Sequence, residues 1–278
     1  MTWLTWRQHR REARILLALL LALGVGVVLL TVLSAGALAE VQRACAPGSF
    51  PSQTCLNLQF AFASDYPWEA IYDVAIVLPA FVGAFVGAPL VAGELEHDTH
   101  LLVWAQEVTR RRWFLQRVAR VLLGAAIFGA LLAAAAQGWF AMERQLGSRG
   151  YVLPNQTLWG SFALAPPVVI AYTLFAVALG IAAGALTRRS GAAALPTLVG
   201  FVAVRVVISA LARPRYLAPI SSRHGYPPTA LQTGFSDHLS WYQPVSRFWL
   251  FQGIEAAIFA VLALALAALA YRLVVRVR

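Results

Sequence analysis

Long unbroken runs of apolar residues, separated by short charged segments, set the pattern of this chain. A bilayer core takes about 20 consecutive apolar residues per helix. Six stretches meet that length, approximately Ile15 to Leu38, Ile71 to Ala92, Val121 to Met142, Ser161 to Leu186, Gly191 to Ala212 and Phe248 to Tyr271. Pro166, Pro167 and Pro196 fall inside these stretches, where a membrane helix tolerates proline as a kink. Trp139, Trp159 and Trp249 flank stretch ends, as interfacial aromatics do. The pattern predicts an all-α integral membrane protein of six transmembrane helices, forming a single transmembrane domain over residues 1–278.

Composition supports the same class. The chain is 60% hydrophobic and 12% charged, against about 45–50% and about 25% for soluble domains. So little charge cannot coat a soluble fold of 278 residues. The net charge of +10 arises from 22 basic residues that are all arginine. The absence of lysine excludes a P-loop nucleotide site and Schiff-base chemistry within this chain. In a membrane protein such an excess of basic residues reports orientation. Fourteen arginines fall in the N-terminal tail, the second-to-third loop, the fourth-to-fifth turn and the C-terminal tail. Seven fall on the opposite side, and Arg205 lies within the fifth stretch. The positive-inside rule then predicts that both termini are cytoplasmic. A signal peptide is the competing reading of the N-terminus, with Ala37-Leu38-Ala39 as its cleavage site. The first apolar run is longer than the roughly 7–15 residues of a signal core, which favours a retained span.

The most informative polar segment is the second-to-third loop. It begins Gly93-Glu94-Leu95-Glu96-His97-Asp98-Thr99-His100-Leu101-Leu102-Val103-Trp104. It continues Ala105-Gln106-Glu107-Val108-Thr109-Arg110-Arg111-Arg112-Trp113. Acids before an apolar patch and arginines after it suit a short interfacial helix, with charges that complement its dipole. Its plainest reading is a solvated basic loop. His97 and His100 could share a helix face, with Glu94 or Asp98 completing a metal set, but the spacing lacks the His-Glu-x-x-His pattern. No metal site is assigned.

This loop resembles the cytoplasmic loop of type-2 ABC-exporter permeases, in particular the small six-span permeases common in actinobacteria. The similarity lies in the acidic pair, the turn at Thr99-His100, Leu102-Val103-Trp104 and Gln106-x-Val108-Thr109-Arg110-x-Arg112-Trp113. The opening Trp3-Leu4-Thr5-Trp6-Arg7-Gln8-His9-Arg10 is similar to that family's amphipathic entry helix. Asp98 departs from the pattern, where the family usually has glycine. The resemblance implies a coupling helix in which Glu94, Glu96, His97, Thr99 and His100 meet a separate ATPase subunit. Arg110, Arg111 and Arg112 would anchor the loop at the membrane surface. It also implies a bacterial plasma-membrane location, a dimer of permease chains, two ATPase subunits, and ATP with Mg bound only by those partners. The chain itself would hold no cofactor and no catalytic residue. The family lines its path with the second and fifth spans, so Phe81, Phe85, Phe201 and Val204 become candidates to face an amphipathic or hydrophobic cargo. Each could equally be packing or lipid contact.

Other residues carry independent expectations. Cys45 and Cys55 fall in the first exterior loop, where nearby cysteines pair more often than they stay free. Arg205 and Glu255 lie at a similar depth, about 10 Å inside the outer boundary at 1.5 Å per helical residue. An unpaired charge there costs several kcal/mol, so an Arg205–Glu255 ion pair is expected, as glue between helices or as part of the path. Gly180-x-x-x-Gly184 reads as a close-packing motif. The leading function is an ABC-exporter permease subunit. The alternatives are a membrane enzyme, such as an intramembrane protease or lipid-modifying enzyme, and an ATP-independent sensor or scaffold.

Overall fold

In lipid a backbone must satisfy its own hydrogen bonds, so each apolar run folds as a helix. The computed structural model describes residues 52–65, 68–96, 109–147, 162–222, 232–236 and 239–275, with scattered positions between 18 and 44. Five helical stretches among the described residues are long and apolar enough to cross a membrane: Tyr72–Glu94, Arg111–Gly138, Pro166–Thr187, Ser190–Arg215 and Val245–Val275. They correspond to the second through sixth expected spans. Most of the first expected span lies outside the described residues, and the described positions within it are helical.

The loop between the first and second expected spans is partly helical, as α1 (Gln53–Asp65). Ser52 caps it, its Oγ accepting the Cys55 N–H at 3.2 Å, which satisfies one of the orphan donors of the first turn. The next span is one continuous rod of α2 (Trp68–Val82), a π-helical turn (Gly83–Gly87) and α3 (Ala88–Glu96). Pro79 lies inside α2, one turn before the π segment. The following helix, α4 (Arg110–Gly147), has 38 residues, about 57 Å at 1.5 Å per residue. It begins at the arginine run, some ten residues earlier than the apolar pattern suggests, so Arg117 and Arg120 are helical. Pro166 and Pro167 do not kink a span. They open α5 (Pro166–Thr187), where a missing N–H costs nothing. Arg188 ends α5 in the left-handed conformation, with φ of 53°. Ser190 begins α6 (Ser190–Val207), which runs on through a π turn (Ile208–Ala212) and a 3-10 turn (Arg213–Arg215).

Between that turn and the last helix the chain forms a small antiparallel sheet, an addition to the otherwise helical architecture. Its strands are β1 (Ile220–Ser222), β2 (Gln232–Ser236) and β3 (Leu239–Gln243), in the order β1-β3-β2. Trp241 pairs with Ser221 on one side and Gly234 on the other. The Gln243 amide holds the sheet to the bundle by donating to the Leu217 carbonyl at 2.8 Å. The last helix is α7 (Phe248–Val275).

The bundle is built around α5. Of its membrane-crossing stretch 83% is buried, against 17% for the span that contains α6. Leu90, Phe114, Phe128 and Ile181 fill one core between α3, α4 and α5. Phe175, Phe201, Phe251 and Phe259 fill another between α5, α6 and α7. Glycine lets the second span approach α5 closely. A Cβ on Gly87 would lie 2.6 Å from the Val177 carbonyl oxygen, and one on Gly180 would strike the Gly83 carbonyl. The pair Gly180 and Gly184 therefore packs backbone on backbone, as small residues do in membranes.

Candidate functional site

Two polar clusters stand out among the described residues, one inside the bundle and one at the mouth of the second-to-third loop.

The inner cluster centres on Glu255 of α7, which is fully buried. Arg213 grips it with two prongs, Nε donating to Oε2 at 2.8 Å and Nη2 to Oε1 at 2.5 Å. The Tyr172 hydroxyl of α5 also donates to Oε1, and the Tyr216 hydroxyl donates to Oε2 at 3.2 Å. Arg213 lies over the Phe162 ring, 4.4 Å from its centroid. Burial, followed by the Glu255 charge, pushes the Tyr216 phenol above its ordinary value and keeps it a neutral donor. One turn before Glu255, buried Gln252 donates to the Phe162 carbonyl at 2.7 Å. Bidentate geometry and two further donors are the conditions under which a buried carboxylate is tolerated.

This corrects the expected Arg205–Glu255 pair. Equal depth was right for Glu255 but picked the wrong arginine. The π turn and 3-10 turn carry the helix past Ala212 and bring Arg213, which the sequence places in a loop, back against α7. Arg205 instead donates Nη1 to the Ile76 carbonyl at 2.9 Å. Ile76 lies in α2, three residues before Pro79. The Arg205 guanidinium also sits over the Tyr172 ring, 4.9 Å from its centroid. The tyrosines and Arg213 were missed by sequence reasoning. Tyr172 carried a faint signal, as the sole hydroxyl-bearing aromatic in the fourth apolar run.

The outer cluster ties the loop's two ends to the bundle. Arg117 of α4 donates to Glu94 of α3 at 2.7 Å. Glu96, at the last position of α3, accepts from Ser190 through both its N–H (3.1 Å) and its Oγ (2.7 Å). Its carboxylate therefore sits on the first residue of α6, where the helix dipole favours an anion. The acids close α3 and the arginines open α4, with Thr109 accepting the Arg112 N–H at 3.4 Å. The stretch between them, 97–108, where the interfacial helix is expected, lies outside the described residues. Arg111 and Arg112 are exposed, and Arg110 is the first residue of α4. His97, Thr99 and His100 lie outside the described residues, as does the entry segment before residue 15.

The four path candidates do not share one environment. Phe81 and Phe85 are exposed and stacked, with ring centroids 6.1 Å apart. Val204 is half-buried. Phe201 is 1% exposed and packs against Tyr172 and Phe175, so it belongs to the core. An apolar ring in a membrane helix satisfies either environment, which is why its type did not decide. Cys55 is buried, and no described cysteine is a free thiol; Cys45 lies outside the described residues.

No curated protein and no solved structure matches the chain. A family model described as ABC-2 membrane transporter related matches residues 17–213. That region holds both halves of the outer cluster and three of the five described spans in full. The chain is a multi-pass membrane protein and belongs to the ABC-2 membrane transporter related family.

Proposed function

We propose that this chain is the membrane subunit of an ABC exporter, driven by ATP hydrolysed on a separate nucleotide-binding subunit. The family match carries the reading, and the absence of lysine from the chain agrees with ATP chemistry on another polypeptide. The partner docks on the loop between α3 and α4, which faces the cytoplasm together with both termini. Two copies of the chain assemble with two ATPases, and ATP with Mg binds only to the ATPases. Glu94 and Glu96 act on the bundle side of that loop. Because Glu94 holds Arg117 and Glu96 holds Ser190, a push on the loop reaches α4 and the start of α6 together. Phe81 and Phe85 offer an exposed aromatic surface to an amphipathic or hydrophobic cargo. On the outer side, Cys45 and Cys55 close a disulfide that braces the start of α1, a reading supported by the buried, non-free Cys55.

The test is reconstitution. The chain is co-expressed with a Walker-motif ATPase encoded beside it and placed in proteoliposomes with a hydrophobic dye. ATP-dependent dye movement that needs both subunits is expected. A stable chain that binds no such ATPase and moves no dye would overturn the reading.

A further inference from the structure

We propose that Arg205 forms an anion-binding subsite at bilayer depth, taking the acidic head of an amphiphile whose tail lies along the exposed face of the second and fifth spans. This inference deepens the exporter reading by naming a cargo class, and it rests on that reading for the word cargo.

The argument starts from charge. Within the bundle, Arg213 grips the one carboxylate, Glu255, and Arg205 lies against Tyr172, which also bonds that carboxylate. Arg213 takes both Glu255 oxygens, and the two tyrosine hydroxyls occupy what remains. Arg205 is left with a backbone carbonyl and an aromatic face. Among the described residues no carboxylate pairs with it; Asp73, one turn before Ile76, is exposed and makes no ion pair with it. Arg205 therefore carries a positive charge that no described carboxylate balances. Such a charge at membrane depth is costly, and it marks ligand or ion pathways more often than packing.

Access and surroundings fit a ligand. Arg205 is only half-buried, in the seam between α2 and α6 that its bond to Ile76 defines. Val202 and Val206, on either side of it in α6, are exposed, as are Phe81 and Phe85 further along the second span. Its Nη1 is held by Ile76 and its face by Tyr172, so the guanidinium is oriented before any ligand arrives. A carboxylate, sulfate or phosphate head would complete its hydrogen bonds, and an apolar tail would cover the valines and phenylalanines. A neutral amphiphile gains only the second contact.

The test uses the full chain in nanodiscs of phosphatidylcholine, with a fluorescent polyene fatty acid and its methyl ester as probes. The acid should bind at least about tenfold more tightly than the ester, the scale of one charge-assisted hydrogen bond. Equal affinity in the unaltered protein would overturn the proposal without any variant. Arg205→Gln should bring the acid down to the affinity of the ester and leave the ester unchanged, and Arg205→Lys should retain part of the preference. Loss of both probes together, in a variant that still elutes as folded protein, would also overturn it. Adding phosphatidylglycerol separates the two sources of the head group: competition identifies a bound lipid, and its absence a transported amphiphile. Binding is read without the ATPase, so failure here leaves the exporter assignment standing, and loss of the ATPase partner leaves the subsite standing.

Discussion

Glu255 and Glu94 are both glutamates paired with an arginine more than twenty residues away, yet they differ in burial and in how they are held. Glu255 is fully buried and held by a bidentate Arg213 and two phenols. Glu94 is bonded to Arg117, and the two side chains keep 17% and 14% of their exposure. In the interior, desolvation makes a half-broken pair expensive, about 3–5 kcal/mol. Glu94 and Arg117 are part-buried, so their pair is worth less than the inner one and more than the about 0–1 kcal/mol of a fully exposed pair. The inner cluster therefore fixes the arrangement of α5, α7 and the end of the α6 span. The loop-side cluster is less deeply buried and opens at lower cost than the inner one, which suits the coupling role proposed for it.

That contrast can be broken first at its strong end. Glu255→Gln should destabilise the protein by about 3–5 kcal/mol, because Arg213 is left buried without its counter-ion. Thermal unfolding in detergent reads this directly. Arg213→Met combined with Glu255→Met should recover much of the loss, since the charge and its counter-charge leave together. Additive losses would show that the two residues stabilise independently. Next in size is Gly180→Val. Its side chain meets the Gly83 backbone, and overpacking of this kind costs about 1–3 kcal/mol; the readout is the fraction of monodisperse protein. Full retention would mean that the two helices can separate freely. Smallest in stability is Glu94→Gln, expected to shift unfolding by about 1–2 kcal/mol, between the exposed and the buried regimes, while lowering transport per ATP hydrolysed. A shift as large as that of Glu255→Gln would erase the distinction between the clusters.

The spans were legible because hydropathy and length suffice to identify them, and Glu255 was legible because an acid in an apolar run has few explanations. Its partner was not. Arg213-Pro214-Arg215 reads as the start of a loop, and nothing local announces the π turn that keeps Arg213 in the bundle. Sequence depth also gives height along a helix but not the neighbour it faces, so it selected Arg205, the arginine inside the apolar run. Glu94 and Glu96 looked like solvent-facing contacts for a partner. Their bonds to Arg117 and Ser190 span 23 and 94 residues, a reach no local pattern encodes. The sheet between α6 and α7 was hidden for a similar reason, since its strands are three to five residues long.

The role assigned to the α3–α4 loop can be settled by one binding measurement. The segment 97–108 is replaced by a glycine-serine linker of equal length, and affinity for the partner ATPase is measured beside the unaltered chain. The expected result is lost ATPase binding in a protein that unfolds at nearly the same temperature, because the inner cluster and the α5 core are untouched. Undiminished ATPase binding by the linker variant would contradict the coupling role.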